Sequence, residues 1–436
     1  MNLNPSNLFE ASQLAFNLCA VFYALAFVFY AALLVLERRK IQTISTWLGR
    51  TGWFLHTLAL ALRWIDAGVA HPPWTNLYES LVFFAWGVMT IHLFVEKKFD
   101  FKLSGVFASG VVFVAMGIAS LHPHKEIEPL VPALQSWWLL FHVFMACIAY
   151  AFFLASSFFS VFYLLKDKIS LESLVSAAFL VCVIFVAIAA GKDFFLTGEY
   201  QFFKVVNMGG KDVILKFKDS SGQNLSQYVN IPYAKFFLWP ILVFYFGGAI
   251  GFFLSNKEKK PKKLLRASKW MGLVALILHS VFVVQIFIAA SMSKEMALKS
   301  NPYRIAALVM TLGIGLFFLS LYKTKNKILS QLPSLQILDR WGYQTVLFGF
   351  PFMTVNLISG AVWAYYAWGR YWGWDPKETW AFITWVIYAI YLHMRILGGW
   401  EGRKTAIISV FGFFVVIFTY LGVNLVISGL HSYATS

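Results

Sequence analysis

The chain has 436 residues, a formal net charge of +16, 59% hydrophobic residues and 13% charged residues. This apolar share exceeds the ~45–50% of soluble domains, which excludes an ordinary water-soluble enzyme. The positive charge lies in short segments between apolar runs, such as Lys257-Glu-Lys-Lys-Pro-Lys-Lys263. Because no basic face with readout elements is present, nucleic-acid binding is excluded as well.

Apolar runs of membrane-spanning length recur along the chain, and they are unbroken rather than alternating as in a β-barrel. The first run is longer than the core of a signal peptide and has no basic stretch before it, so it is predicted to be a span. The sequence therefore predicts an all-α polytopic transmembrane helical bundle. Its twelve predicted spans are residues 14–36, 46–64, 77–95, 103–120, 137–165, 171–191, 233–254, 269–291, 303–322, 342–364, 378–397 and 404–429.

The loops between these spans form two alternating sets that differ in charge. One set, which includes residues 37–50, 256–269 and 323–340, holds most of the Lys and Arg. Because loops rich in Lys and Arg stay in the cytoplasm, this set is predicted to be cytoplasmic. Both termini are then predicted to face outward.

Few groups inside the spans are suited to chemistry. The three cysteines lie within predicted spans without a Cys-x-x-Cys pair, which disfavours thiol redox chemistry and a zinc cluster. His56 and His279 lie mid-span. Imidazoles in membranes hydrogen-bond across helices, so packing is favoured for His279, while His56 is either a packing residue or an internal ligand.

The fifth span begins with Trp137-Trp138 and carries His142 near its outer end. A helical rise of ~1.5 Å per residue places His142 about 7 Å along the helix from Trp137. Taken alone, a histidine at this boundary is explained by a hydrogen bond to water or to a loop carbonyl.

Six of the 17 tryptophans fall within one Gly-interrupted segment, which includes Trp368-Gly-Arg-Tyr-Trp-Gly-Trp-Asp-Pro-Lys-Glu-Thr-Trp380. The segment is too polar for lipid and too aromatic for an ordinary loop. It predicts a flat aromatic surface at the outer membrane boundary, suited to a large planar ligand. The six are Trp363, Trp368, Trp372, Trp374, Trp380 and Trp385.

Asp375-Pro376-Lys377-Glu378 within this segment has the pattern of a helix start, with an N-cap residue, Pro at the first position and Glu three residues after the cap. Capping is the predicted role of Asp375, and its carboxylate is also placed to orient a ligand. Arg370 and Lys377, the cations of this loop, either pair with ligand carboxylates or are solvated.

Two histidines follow the tryptophan segment. His393 is about 22 Å beyond Glu378 at ~1.5 Å per residue, near the cytoplasmic end of its span. Ionisable groups at membrane depth are costly, so a functional role is predicted, with a helix-packing hydrogen bond as the alternative. His431 lies just beyond the outer end of the last span. His142 and His431 thus flank the aromatic segment, as two axial imidazoles of haem would.

These motifs resemble those of the CcsA (ResC) family of System II cytochrome c biogenesis. The resemblance covers roughly residues 1–168 and 325–436. It rests on the tryptophan segment and its continuation to His393, on Leu421-Gly-Val-Asn424 with Gly429-Leu-His-Ser-Tyr433, and upstream on Leu130-Val-Pro-Ala-Leu-Gln-Ser136 and Asn76-Leu-Tyr-Glu-Ser80.

The resemblance implies a component of cytochrome c haem lyase that works with a CcsB (ResB)-like membrane protein. It implies that His142 and His431 ligate haem iron, and that His393 is an internal haem ligand. The chain would present haem b to the Cys-x-x-Cys-His of apocytochrome c, from the cytoplasmic membrane of a bacterium with the aromatic surface facing the periplasm. The further cofactor-binding residues are Trp368, Trp372, Trp374, Asp375 and Trp380.

Two other functions fit parts of this pattern. A membrane haem exporter or chaperone without a role in attachment would use the same aromatic surface. A quinone-reactive haem subunit of a respiratory complex explains paired histidines but not the tryptophan segment.

The chain is longer than the compact pattern of the family. Residues 169–325 are predicted to be an insertion of four spans between a core formed by residues 1–168 and 326–436. Within it, the outward segment 192–235 has a polar, turn-rich stretch between short β-prone runs, which predicts a solvated hairpin.

Overall fold

A computed structural model describes most of the chain as helix. The described residues are 5–33, 36, 38–68, 71–74, 77–99, 101–120, 136–167, 169–203, 205–208, 211–214, 216–218, 224–226, 228–257, 262–292 and 302–423.

Each of the twelve predicted spans overlaps one helix, and residues 424–429 of the last span lie outside the described residues. The predicted all-α helical bundle is therefore confirmed for the described residues, apart from six short strands. The helices are α1 (Pro5–Leu33), α2 (Arg39–Ala67), α3 (Leu77–Phe99), α4 (Ser104–Ser120), α5 (Trp137–Lys166), α6 (Leu171–Thr197), α7 (Ala234–Lys257), α8 (Lys262–Met292), α9 (Pro302–Gln331), α10 (Leu335–Trp368), α11 (Pro376–Ile396) and α12 (Arg403–Ile417). A π-helical turn, Phe418–Gly422, continues α12.

Among the described residues, nine helices are long and apolar enough to cross a membrane. The three outside this group are α2, α4 and α11. The apolar part of α4 is short, whereas α2 carries several charged residues and α11 is rich in Trp and Tyr. The chain is therefore a polytopic membrane protein.

Six short strands lie between α6 and α7, where the sequence predicts a hairpin. The strands are β1 (Gln201–Phe203), β2 (Val205–Met208), β3 (Lys211–Ile214), β4 (Lys216–Lys218), β5 (Asn224–Ser226) and β6 (Tyr228–Asn230). They form three antiparallel pairs, β1 with β6, β2 with β3 and β4 with β5. The β-prone runs of this segment are thus strands.

Three groups of helices each bury apolar side chains. The first group, α1–α4 with part of α5, packs around residues such as Tyr23 and Met89. The second is centred on α6–α9, and the third joins α5 to α10, α11 and α12. The most extensive helix contact is that of α5 with α10. Since α5 belongs to all three groups, it is the central helix that carries His142.

Candidate functional site

The loop between α10 and α11 is shaped by caps at both ends. α10 ends at Gly369, whose φ of 74° is in the left-handed region that glycine tolerates. α11 begins at Pro376 after Asp375, which accepts a hydrogen bond from the backbone N–H of Lys377 at 3.2 Å. The carboxylate of Glu378 accepts from the N–H groups of Gly373 at 2.8 Å and Asp375 at 3.2 Å. The capping geometry predicted for Asp375 is therefore present, and Glu378 also holds the preceding loop.

The aromatic rings of this loop do not form one flat surface as the sequence predicts. Trp363 and Trp368 pack at 63° with centroids 4.8 Å apart, and Trp372 and Trp374 pack at 87° with centroids 5.8 Å apart. Edge-to-face packing is the favoured arrangement of neighbouring indoles, and it prevents a common plane. Trp380 packs instead on Phe418 of the π-helical turn, at 4.3 Å.

Trp374 combines an exposed ring with an unusual backbone. Its φ of 56° is in the left-handed region, and 70% of the residue is exposed. A non-glycine residue there costs on the order of 1–2 kcal/mol. The capped loop therefore presents this indole outward at an energetic cost.

His142 is seated between α5 and α10. Its Nδ1 lies 2.8 Å from the backbone oxygen of Asn356. Two groups of Asn356 lie near Nδ1, the carbonyl oxygen and, at 3.2 Å, the side-chain Nδ2. The carbonyl contact is the shorter, and a carbonyl oxygen only accepts, which favours the tautomer with the proton on Nδ1 and the lone pair on Nε2. The ring of Trp363 stacks beside the imidazole, with centroids 6.3 Å apart and planes 20° apart. In this tautomer Nε2 carries the lone pair, which is the form in which imidazole binds metals.

The seated imidazole lines a large apolar cavity of about 1830 Å³. Trp363, which stacks beside His142, lines the cavity too, as do Tyr371, Trp372 and Lys377 from the loop between α10 and α11 and the start of α11. Further along, the same cavity reaches His92 and Ser104, near the other end of α3 and the start of α4. Small-molecule pockets typically occupy ~300–1,000 Å³, so this space accommodates a large apolar ligand.

Comparison with known proteins assigns the chain to a family. Residues 74–225 and 241–431 match the model of the cytochrome C assembly protein family. The chain is 34% identical over 398 residues to the cytochrome c biogenesis protein CcsA of Crocosphaera subtropica, with 89% of each chain covered. The protein of the same name from Marchantia polymorpha is 29% identical, with 94% of this chain and 93% of that protein covered. The chain belongs to the CcsA family of System II cytochrome c biogenesis.

The predicted site residues of this CcsA-family chain occupy different surroundings. Trp372 lines the cavity with His142, whereas Asp375 is buried as a cap and Trp374 points away from the protein. His393 lies exposed on α11 and is not among the residues that line the cavity. His431 lies outside the described residues. His142 and Trp372 therefore line one cavity. The pairing of His142 with His431 remains a prediction.

A buried ionic cluster stands at the far end of the cavity, and the sequence analysis missed it. The ring of His92 lies 2.9 Å through Nδ1 from the hydroxyl of Ser104 and 3.2 Å through Nε2 from the carboxylate of Glu96. The ammonium of Lys102 lies 3.1 Å from the same carboxylate, and Tyr30 donates a hydrogen bond to it. The signal was available, because ionisable residues inside a span mark functional positions by default.

A second buried ion pair joins the C-terminal end of α2 to the N-terminal end of α3. Arg63 and Glu79 are both fully buried and 2.8 Å apart. The neighbouring Ser80 bonds through its hydroxyl to that of Tyr420 in the π-helical turn, at 3.0 Å. The indole N–H of Trp74 donates to the backbone oxygen of Leu140, at 2.9 Å. The N-terminal end of α3 and the loop before it therefore contact the π-helical turn and the part of α5 that carries His142.

Proposed function

We propose that this CcsA-family chain binds haem b at the outer end of the cavity, with Nε2 of His142 as one axial ligand. We further propose that it holds haem for thioether attachment to the Cys-x-x-Cys-His of an apocytochrome c. Bound haem would supply the vinyl groups to which the cysteine thiols add. The observation that carries the proposal is the seat of His142, which fixes an imidazole with its lone pair on Nε2 at the wall of a large apolar cavity.

The donor set at this end of the cavity fits a porphyrin. A neutral imidazole nitrogen is an axial ligand of haem iron, and aromatic side chains pack on the macrocycle. Trp363 and Trp372 supply such faces beside His142. Lys377, in the same wall, supplies a cation for a propionate, as does Arg370 in the loop. The protein's part is to position the macrocycle and to keep water from one side of it.

The second outer ligand is proposed to be His431. The π-helical turn supports this proposal, because Tyr420 lines the same cavity and lies eleven residues before His431 in the chain. His393 is proposed as an internal haem ligand that acts at a surface shared with a CcsB-like membrane protein. Its exposure on α11 supports a role at such a surface rather than in the cavity.

The membrane arrangement is also a proposal. All twelve helices would span the bilayer, with both termini and the tryptophan loop outward, because the opposite loops hold most of the Lys and Arg. The chain would lie in the cytoplasmic membrane of a bacterium with this loop facing the periplasm. Residues 1–168 and 326–436 would form the core that carries His142 and the tryptophan loop, and the match to the family model also covers most of residues 169–325.

A haem exporter or chaperone is the second candidate. The extension of the cavity to His92 favours it, because a space that continues toward the other end of the bundle suits a ligand that moves. Both candidates require haem at His142, and only the first requires attachment.

The deciding experiment co-expresses the chain with a CcsB-like protein and an apocytochrome c, and stains for covalent haem. We expect His142→Gly to abolish both haem retention and attachment, and added imidazole to restore both in part by filling the empty ligand position. Normal haem retention in His142→Gly without imidazole would refute the ligand assignment. Normal retention in the wild type, with no covalent haem whichever partner is supplied, would favour the exporter.

A further inference from the structure

One face of α10 is built around the imidazole of His142. Asn356, Gly360 and Trp363 are spaced four and three residues apart, so they lie on the same side of the helix. All three are close to the ring or backbone of His142 on α5. The contact joins positions 214 residues apart in the chain.

Asn356 contacts His142 through both its backbone and its side chain. Its backbone oxygen lies 2.8 Å from Nδ1 of the ring. Its side-chain Nδ2 lies 3.2 Å from the same Nδ1 and donates to the backbone oxygen of His142 at 3.3 Å. The residue is 1% exposed. The side chain therefore fixes the position of this turn of α5 against α10, while the backbone oxygen fixes the tautomer.

Gly360 provides the space for this contact. A Cβ built on Gly360 would lie 2.7 Å from both Cε1 and Nδ1 of the imidazole, closer than such atoms approach in proteins. Residue 360 follows Asn356 by one helical turn, so its side chain would cover the very carbonyl that Nδ1 reaches. Glycine is required here by the ring, since the backbone is ordinary helix.

We propose that Gly360 and Asn356 are positioning residues that set the tautomer and the ring plane of His142, and through them the iron-binding strength of Nε2. This rests on the proposed function. A histidine whose second nitrogen donates to a carbonyl is a stronger, better oriented ligand, and loss of such outer contacts typically costs 10–100-fold in metal affinity. Trp363 completes the seat by stacking on the ring.

The first test needs no haem. Haem-free protein labelled with ¹⁵N-histidine is compared with His142→Gly to identify the two ring resonances of His142. We expect a protonated Nδ1 and an unprotonated Nε2 in the wild type. In Gly360→Ala we expect a mixture of tautomers, because the ring is displaced from the Asn356 oxygen. A wild-type Nε2–H tautomer, or an unchanged spectrum in Gly360→Ala, would overturn the proposal whether or not haem binds.

The second test measures haem affinity by titration and the midpoint potential of the bound haem. We expect Gly360→Ala to weaken haem binding 10–100-fold. Its potential should rise, because a weaker imidazole donor stabilises ferric iron less. The matched control is Gly117→Ala on α4, where an added Cβ meets no atom of the described residues within 4 Å. This control should leave both values unchanged.

A double-variant comparison separates positioning from general damage. In a His142→Gly background supplied with imidazole, Gly360→Ala should have no further effect, because the free ligand does not depend on the seat. An equal loss in both backgrounds would mean that Gly360 only packs the helices, which would overturn the inference. If His142→Gly itself retains haem, the proposed function fails instead. The tautomer experiment then still tests whether Gly360 sets the tautomer of His142.

If the Gly360→Ala protein does not insert into the membrane, Asn356→Leu provides a second variant, in which the new side chain is similar in size to asparagine. It removes the Nδ2 contacts with the backbone oxygen and with Nδ1 of His142, and it keeps the backbone carbonyl of residue 356. We expect a smaller loss of haem affinity that also disappears in the His142→Gly background with imidazole. A loss that persists there would contradict the positioning role.

Discussion

His142 and His393 are the two predicted haem ligands within the described residues, and their surroundings are opposite. The ring of His142 is held between two helices by a backbone acceptor and a stacked indole, at the wall of a cavity. His393 is exposed on α11, near the exposed side chains of Ile390 and Ile396. The same residue type is therefore seated by its own chain in one place and presented to its surroundings in the other.

This difference shows how a candidate ligand histidine in a membrane protein acquires the orientation of its ring. A seated imidazole has its tautomer and plane before the ligand arrives, so less ordering is needed on binding. An exposed imidazole at membrane depth is costly unless another surface covers it. We therefore expect the geometry of His393 to come from a partner, whereas that of His142 is built by α10.

The largest effect is expected when each of the two histidines is replaced in turn. In the purified chain supplied with haem, His142→Gly should abolish binding at the outer site and His393→Ala should leave it unchanged, because His393 does not line the cavity. In cells, His393→Ala should lower outer haem if haem enters from the cytoplasmic side, and external haem should bypass the defect. Titration with haem and staining of cell-grown protein check the two halves. Loss of binding in purified His393→Ala would contradict the separation.

The second largest effect concerns stability, which should depend more on the Arg63–Glu79 ion pair than on the Arg395–Asp339 pair at the other end of the bundle. Glu79→Ala leaves Arg63 buried without its carboxylate, which should cost about 3–5 kcal/mol of unfolding free energy. Arg395 and Asp339 at the other end are paired at 2.6 Å and partly exposed, so Asp339→Ala should cost less, about 1–3 kcal/mol. Denaturant unfolding in micelles measures both. Equal losses would mean that burial does not distinguish the two ends.

Two indoles of the tryptophan loop differ in exposure, and replacing them should affect haem binding to different extents. Trp372 lines the cavity, whereas Trp374 is 70% exposed. Trp372→Ala should therefore weaken haem binding by about 1–3 kcal/mol, the scale of a buried aromatic face, and Trp374→Ala should have little effect on binding alone. The double variant should still insert. Haem titration of the three variants measures the losses, and normal haem in the double variant would make the loop an interfacial belt only.

The smallest effect concerns pH. Burial lowers the pKa of Lys377 to about 8, against an opposing effect of Asp375. Lys377 precedes the predicted span 378–397. If its ammonium pairs with a propionate, haem affinity should fall as the pH rises from 7 to 9, and Lys377→Arg should flatten this dependence.

The unfolding free energy should change in the opposite sense. The unfolded chain, with an ordinary lysine pKa of 10.5, binds more protons than the folded chain between pH 8 and 10.5, so stability should rise there. Titration of haem at several pH values, with Lys377→Arg as control, checks the first trend. If the haem affinity of the wild type did not change from pH 7 to 9, the proposed pairing of Lys377 with a propionate would be wrong.

Much of the fold was readable from the sequence because membrane helices are specified by length and hydropathy. The cap at Asp375 was readable too, since it depends on four consecutive residues. The packing prediction for His279 agrees with its contact to Tyr245 at 3.2 Å, and His56 has the same kind of contact with Tyr23 at 3.2 Å. These are local or neighbouring-helix features.

The seat of His142 could not be predicted in the same way. It depends on which helix faces α5, and the contact with Asn356 spans 214 residues. Gly360 also gave no sign of its role, because a glycine in a membrane helix is common. The flat aromatic surface was wrong for a related reason, since composition counts rings but does not give the angles between them.

The bond between Ser80 and Tyr420 joins residues 340 positions apart. At a synthesis rate of ~5–20 residues per second, α3 would wait roughly 17–70 s in the membrane before the π-helical turn emerges. This contact at the N-terminal end of α3 therefore forms late in synthesis, after most of the helices have been made. A nascent chain stopped before this turn would contain most of the membrane helices but would lack the contact between Ser80 and Tyr420.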